Sequence, residues 1–472
     1  MNARHATASQ SIARRDWLKS LSLGGIAAIA SSPSRGETKT PMKAEKVRGI
    51  IFLVSDGMSP GVLTMAQHFS QITRNKGTRW WDLINAPTAA RGLMDTASAN
   101  SMVTDSAAAS SSWGGGQRVN NGMINYSPEG KAITPIGKIL KDKGHRVGLV
   151  TTATVTHATP AGFAAAVTDR NNEDAIAEQY LDRVDVILGG GSAFFDAKSR
   201  KDKKDLHLAY QRSGYEVLRH RDSLLGSKSE KLLGTFAPSH LPYSIDRSQS
   251  KDLQSSVPTL AEMAQAALSR FLAGSQRFLL QIEGARIDHA AHLNDIGALL
   301  HEQLAFDDAL AQVLSMTAKH PDILVVVTSD HGNSNPGLNG MGASYKKSSQ
   351  CFQRIGAMKE SHESLFARWM TQPQQDLGAM IRENLGFSLE TNQRESLMAV
   401  LDNKQVIEWN DQLAKPEGLL GQFAGNHTGV GWTGTTHTSD PTIVTANGPQ
   451  CERFSGMVVN TDVFRHFTEL LV

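Results

Sequence analysis

Around residue 322 the chain reads DILVVVTSDHGN, an unbroken apolar run that ends in an acid and a histidine, Asp330 and His331. A strand apolar at every position is buried on both faces, and such strands belong to parallel sheets covered by helices. The pattern recurs in RGIIFLVSD, ending at Asp56, in RVGLVTT and VDVILGGG, and in RFLLQIE, ending at Glu283. Between these runs lie stretches of helical spacing: GVLTMAQHFSQ, TLAEMAQAALSRFL, and the longer HAAHLNDIGALLHEQLAFDDALAQVLSM, which reads as one helix. DPTIVTA and TDVFRHFTELLV close the chain as a strand and a helix. This alternation predicts an α/β fold: a mostly parallel central sheet sandwiched by helices. Asp56, Glu283 and Asp330 all stand at C-terminal strand ends, the edge where open parallel sheets bind their ligands. Three acids at one edge suggest one shared site.

Between His331 and His437 the strand rhythm stops. A Gly/Ser/Asn-rich segment, a helical middle and a second glycine-rich segment read as an insertion over the active-site edge, at about residues 332–430. The basic run KSRKDKKDLH reads as a solvated loop. Trp80 and Trp81 read as packing residues, and His68 and His301 as ordinary helix-surface or packing residues.

The N-terminus differs from the rest. SIARRDWLKSLSLGGIAAIA joins Arg14 and Arg15 to an apolar run from Leu21 to Ala30, ending in small residues. That arrangement resembles a twin-arginine export signal over residues 1–30, with residues 31–472 as the mature domain. The apolar run is about half of what a membrane span needs, so no stable membrane insertion is expected. Removing the segment takes away four basic residues and one acid, which turns the formal charge from +2 to −1. No electrostatic reason remains to expect nucleic acid as a partner. The expected location is the periplasm or the exterior. Cys351 and Cys451 could form one bridge there, though two cysteines in 472 residues do not require it.

The chemistry rests on four short stretches. In VTDSAAASSSWGGG, Ser106 follows Asp105 at the start of an alanine-rich helix. It reads either as a cap or as a nucleophile placed where free backbone N–H groups attract an anion. In EGARIDHAAHLND, Asp288 and His292 are four residues apart and share a helix face, which suits a cation such as zinc. An N-terminal acid with a surface histidine is the plainer reading of that pair. Asp330 and His331 adjoin at a strand end, and His437 sits in the loop TGTTHTSD, where packing has no use for it. With Asp56 these make three acids and three histidines. That is enough for two cations with three protein ligands each, leaving open positions as catalytic sites do.

Through VSDGM, TDSAAAS, THATPAGFAAAVTDR, LGGG, QIEGARIDHAAH, VTSDHGN and THTSD, the chain resembles the alkaline phosphatases over almost its whole mature length. The resemblance implies hydrolysis of small-molecule phosphate monoesters through a phosphoserine on Ser106, with Arg170 gripping the phosphate. It implies one zinc on Asp288, His292 and His437, and a second on Asp56, Asp330 and His331. It also implies a third metal, magnesium or zinc, shared by Asp56, Thr159 and Glu283, and a homodimer. Two positions depart from the best-known bacterial form: His157 stands where that form has aspartate, and His289 where it has lysine. His157 could touch the third metal or lie behind it. His289, one residue off the face of Asp288 and His292, could point away or contact phosphate. A related diesterase or sulfatase is the runner-up. Arg170 argues against it, because a fork for two free oxygens suits a monoester, and no C/S-x-P-x-R segment is present. A non-catalytic phosphate binder is the other class; it would bind without turnover.

Overall fold

The computed structural model describes residues 46–403 and 411–472; the signal-like segment 1–30 lies outside them. Its strands are β1 (Gly49–Ser55), β2 (Ala90–Met94), β3 (Arg146–Thr154), β4 (Val186–Gly190), β5 (Glu216–Leu218), β6 (Leu232–Thr235), β7 (Phe278–Gly284) and β8 (Ile323–Thr328). There follow β9 (Gly332–Asn333), β10 (Gly337–Leu338), β11 (Val430–Gly431), β12 (His437–Thr438), β13 (Thr442–Asn447) and β14 (Gly456–Val458). Ten of these form one sheet in the order β14-β2-β13-β8-β1-β7-β3-β4-β6-β5. From β8 to β5 every neighbouring pair is parallel.

Alternation explains why the strand runs are apolar throughout. Ile51, Leu53, Leu280, Ile282, Val325 and Val327 pack into the core on one face of the sheet. Their sequence neighbours Ile50, Phe52, Leu279, Leu324 and Val326 pack into the core on the other. With both faces covered, no position in β1, β7 or β8 can be polar without a partner.

Two expectations need correction, and one expected strand runs against its neighbours. The long run after Glu283 is two helices, Arg286–His292 and Ile296–Thr317. Asn294 breaks it with a left-handed backbone (φ 48°) that asparagine tolerates, and the Asp295 carboxylate caps the second helix at Ala298 N–H, 2.9 Å. DPTIVTA forms β13, which is antiparallel to β8 and β2. The chain reaches this strand directly from His437 at the site edge, with no crossover to reverse it. The basic loop is solvated at Lys198, Lys201, Lys203 and Lys204, but Arg200 is fully buried against Glu178 and Asp202, 2.7 and 2.6 Å. Leu206 and His207 are buried in the helix that follows. Trp80 packs as expected and donates to Thr445 Oγ1 at 3.1 Å; His68 is exposed, and His301 rests edge-on against Phe69. Both cysteines are free thiols.

The insertion region carries helices at Ser348–Gln353, His362–Thr371, Leu377–Leu385, Thr391–Leu401 and Pro416–Thr428. They surround a core of their own that includes Phe366, Ile381, Leu397 and Leu420.

The helix Ser106–Gly115 lies against the helix Ala158–Ala164 at near backbone contact. A Cβ on Gly162 would stand 2.4 Å from Ser110 Oγ and 2.7 Å from the Ser110 carbonyl carbon. Gly162→Ala is therefore expected to destabilise the protein by roughly 1–3 kcal/mol through overpacking. A urea midpoint unchanged from that of the parent would refute this close approach.

Candidate metal centre

The site forms where β1, β7 and β8 end. Asp56 follows β1, Glu283 lies in β7, and Asp330 and His331 follow β8. Gly57 makes this convergence physically possible. Its φ is +68°, and a Cβ there would meet Asp288 Oδ1 at 2.4 Å, so only glycine lets the two acids approach. His437 arrives from far along the chain because β12 pairs antiparallel with β9, setting His437 opposite Asn333.

Three imidazoles are held in the same tautomer. Nδ1 of His292 donates to Thr435 O at 2.7 Å, Nδ1 of His437 to Thr104 O at 2.9 Å, and Nδ1 of His331 to Gly332 O at 3.3 Å. A neutral ring with its proton on Nδ1 presents a bare lone pair at Nε2. Those three lone pairs face the carboxylates. His292 Nε2 stands 3.3 Å from Asp288 Oδ2 and 3.1 Å from His437 Nε2, and His437 Nε2 stands 3.5 Å from Asp288 Oδ1. His331 Nε2 lies 3.1 Å from Asp330 Oδ2 and 3.6 Å from Asp56 Oδ1. Two Nε2 lone pairs at 3.1 Å repel unless a cation lies between or beside them. The donor sets Asp288/His331/His437, Asp56/Asp330/His331 and Asp56/His157/Glu283 are each close enough to hold one ion.

Unpaired atoms point the same way. Both carboxylate oxygens of Asp56, Asp330 Oδ2, Glu283 Oε1, Thr159 Oγ1 and His157 Nδ1 are buried without a hydrogen-bond partner. A buried carboxylate with no partner costs several kcal/mol, and a bound cation removes that cost. Burial, then the charges of Asp330, Asp288 and Glu283, push the Asp56 carboxyl well above the usual range. Burial pushes Glu283 up to about 7. Burial and the stacked His331 ring bring His437 down to about 4, so it stays neutral as a ligand must.

Ser106 is the first residue of its helix. Asp105 is the cap, accepting from Ala108 N–H at 2.9 Å, so the hydroxyl is free for other use. Ser106 Oγ is buried and lies 3.1 Å from His331 Nε2. Arg170 Nη1 donates to Asp105 Oδ2 at 3.1 Å, and its Nη2 donates to His157 Nε2 at 3.3 Å. All ten residues expected from the sequence thus line one continuous site. His157 is a member of the third donor set, and His289 turns inward, its ring 5.5 Å from that of His157.

Several contributors carry no sequence signal of their own. Asn333 Nδ2 donates to Asp288 Oδ1 at 2.6 Å and steadies that carboxylate. The His240 ring lies tilted beside that of His289, centroids 4.5 Å apart. Arg286 donates to His289 Nδ1 at 2.9 Å and pairs with Glu363 of the insertion at 2.8 Å, its guanidinium lying over the Tyr243 ring. Asp105 is plain in the sequence beside Ser106, but its bond to Arg170 is not.

The charge cluster sets a pH dependence for the metal-free protein. Glu283 binds its proton more tightly folded, at about 7, than at its ordinary 4.5. Its stabilising contribution is therefore complete below about pH 4.5 and is lost as pH climbs through 7. The chelated protein is expected to show a lower urea midpoint at about pH 8 than at about pH 5, restored by zinc or magnesium. Equal midpoints at both pH values would show that the carboxylates are neutralised by something other than a cation.

The alkaline phosphatase family model matches residues 47–472. The crystal structure of the Thermus thermophilus alkaline phosphatase superposes with a TM-score of 0.85 at 35% identity, covering 93% of this chain and 95% of that one. Alkaline phosphatase 3 of Bacillus subtilis is 27% identical, over 96% of this chain and 95% of its own. The streptomycin-6-phosphate phosphatase of Streptomyces griseus is 30% identical, over 68% of this chain and 82% of its own. With the sheet, the buried acids and the serine already in place, the chain belongs to the alkaline phosphatase family and is a phosphoric monoester hydrolase.

Proposed function

We propose that this enzyme transfers the phosphoryl group of a monoester to Ser106 and then to water, at a centre of two zinc ions and a third metal. The observation that carries this reading is Ser106 Oγ at 3.1 Å from His331 Nε2, inside a ring of buried, cation-seeking lone pairs. Asp288, His292 and His437 would hold one zinc, and Asp56, Asp330 and His331 the other. Asp56, Thr159 and Glu283 make an oxygen-rich set suited to magnesium. His157 Nε2 accepts from Arg170, so its Nδ1 carries the proton and faces that set as a donor. When bound, such ions supply Lewis acidity to the attacking and leaving oxygens of an in-line displacement.

The chain's own groups account for the rest. Ser106 Oγ gives up its proton and forms a bond to phosphorus as the ester P–O bond breaks, and the departing alkoxide takes up a proton. Arg170 offers a planar fork to two non-bridging oxygens, and Asp105 fixes its orientation. The positive end of the helix that starts at Ser106 stabilises the same oxygens. Water then attacks phosphoserine, the Ser106 O–P bond breaks, and inorganic phosphate leaves.

We further propose export through the twin-arginine route to the periplasm, on the strength of Arg14, Arg15 and the apolar run behind them. Among the described residues no helix is long and apolar enough to cross a membrane. We take the working form to be a homodimer. In support, β14 is an edge strand whose Met457 is exposed beside its register partner Leu93, leaving apolar surface for a second copy.

The test is turnover of p-nitrophenyl phosphate and its bis-ester at alkaline pH. The parent is expected to prefer the monoester, to lose activity on chelation and to regain it with zinc plus magnesium. Ser106→Ala is expected to lower kcat by on the order of 10³ or more, with no trapped phosphoprotein on acid quench. A mutant that kept most of its kcat would overturn the phosphoserine route.

A further inference from the structure

His240 lies in the segment APSHLPYS, outside every motif discussed above. Its Nδ1 accepts a hydrogen bond from Thr154 N–H at 3.1 Å. His289 Nδ1 accepts from Arg286 Nη1 at 2.9 Å. Neither an amide N–H nor a guanidinium can accept, so in both neutral rings the proton sits on Nε2. Neither Nε2 has a hydrogen-bond partner among the described residues, and neither is sealed from solvent. Both side chains are half-buried. Two free N–H donors thus sit on rings whose centroids are 4.5 Å apart, close enough to serve oxygens of one tetrahedral anion. The pair adjoins the phosphate-gripping group directly. The His157 ring lies 5.7 Å from His240 and 5.5 Å from His289, and His157 Nε2 is the acceptor of Arg170. Arg286, held by Glu363 and by the Tyr243 ring, adds a fixed positive charge behind them.

We propose that His240 and His289 form an anion subsite that binds a second phosphoryl group on the leaving side of the substrate. The substrates it favours are bisphosphates and pyrophosphate-type compounds. This rests on the phosphomonoesterase reading above. His240 acts here as a specificity-determining residue, while Ser106 and Arg170 handle the transferred group.

The experiment compares kcat/KM for inorganic pyrophosphate and for p-nitrophenyl phosphate, and inhibition by methylenediphosphonate and by inorganic phosphate. It uses the parent, His240→Phe and His240→Asn. Phenylalanine keeps the ring and removes the donor; asparagine keeps a donor and can still accept from Thr154. In His240→Phe the ratio of pyrophosphate to monoester kcat/KM is expected to fall about tenfold, the scale of one hydrogen bond to a charged group. Methylenediphosphonate inhibition should weaken by a similar factor, with phosphate inhibition much less affected. His240→Asn should recover most of both losses. Should the phenylalanine variant not fold, His240→Ala provides the same comparison. An unchanged ratio, or equal losses for both substrates and both inhibitors, would overturn the subsite and leave His240 as a support for the Thr154 turn. Absence of monoester turnover in the parent would instead defeat the phosphatase reading beneath it.

Discussion

Four carboxylates, Asp56, Glu283, Asp288 and Asp330, are buried together at one end of the sheet, and everything around them follows from that. Gathering like charges away from water is costly, and protein cations do little to offset it here. The groups hydrogen-bonded to or paired with them are imidazoles, an asparagine, a threonine and the backbone N–H groups of Gly57 and His331. Arg170 is engaged by Asp105 and His157, and Arg286 by Glu363 and His289. A fold that keeps these acids dry is built around cations it must import. In the mechanism proposed above, stability and catalysis draw on the same ions.

Holding such a cluster in place needs more than the sheet. The β8 end supplies Asp330 and His331, but Asp288 and His292 ride on a short helix. The sheet holds that helix at its first residue, where Arg286 N–H donates to Thr152 Oγ1 of β3 at 3.1 Å. It needs further support, and the insertion region gives it. Ser361 donates from N and Oγ to Asp246 at 2.8 and 2.7 Å, His362 N–H donates to Asp295 at 2.6 Å, and Glu363 pairs with Arg286 at the start of that helix. Three consecutive residues thus grip three elements around the Asp288 helix. The segment read as a cover over the sheet edge also works as a brace. Burial is the main cause that pushes the Asp246 carboxyl of this clamp up to about 6.

Most of the fold is legible in the sequence because fully buried parallel strands leave an unmistakable record: nearly every residue is apolar until the strand ends, with exceptions such as Gln281 in β7, which bonds Thr159 O. For the same reason the acids at 56, 283 and 330 can be assigned to one edge from strand pattern alone. Residue patterns point to His292, His437 and Ser106 as candidates, but only the motif resemblance chooses a ligand or nucleophile reading over the cap and the surface histidine that spacing equally allows. What stays hidden depends on contacts between distant segments. The antiparallel sense of β13 follows from the path taken after His437, the burial of Arg200 from its meeting with Glu178 on the helix Glu173–Gln179, and the role of His240 from its meeting with His289. The break at Asn294 is readable in principle, because an asparagine followed by an aspartate is a stop and a fresh cap. The strong apolar periodicity on either side masks it.

The six histidines of the site divide by which nitrogen carries the proton, and the backbone decides it. Carbonyl oxygens of residues 104, 332 and 435 accept from His437, His331 and His292, which leaves Nε2 bare and suited to cations. The Thr154 amide and the Arg286 guanidinium donate to His240 and His289, which leaves Nε2 protonated and suited to anions. His157 stands between the two groups. Its Nε2 accepts from Arg170 on the anion side, while its Nδ1 is buried without a partner among the metal-site acids. Burial, reinforced by the neighbouring arginines, holds His157 and His289 well below the usual imidazole range, and His240 at about 4. These three rings, like His437, therefore stay neutral in alkaline solution, and their division into lone pairs and N–H donors persists there. A phosphate ester needs both kinds of contact at once: cations for the oxygens being exchanged and fixed donors for the charge that stays behind. One residue type supplies both here because its tautomer is set by what the main chain, or a clamped arginine, presents to Nδ1.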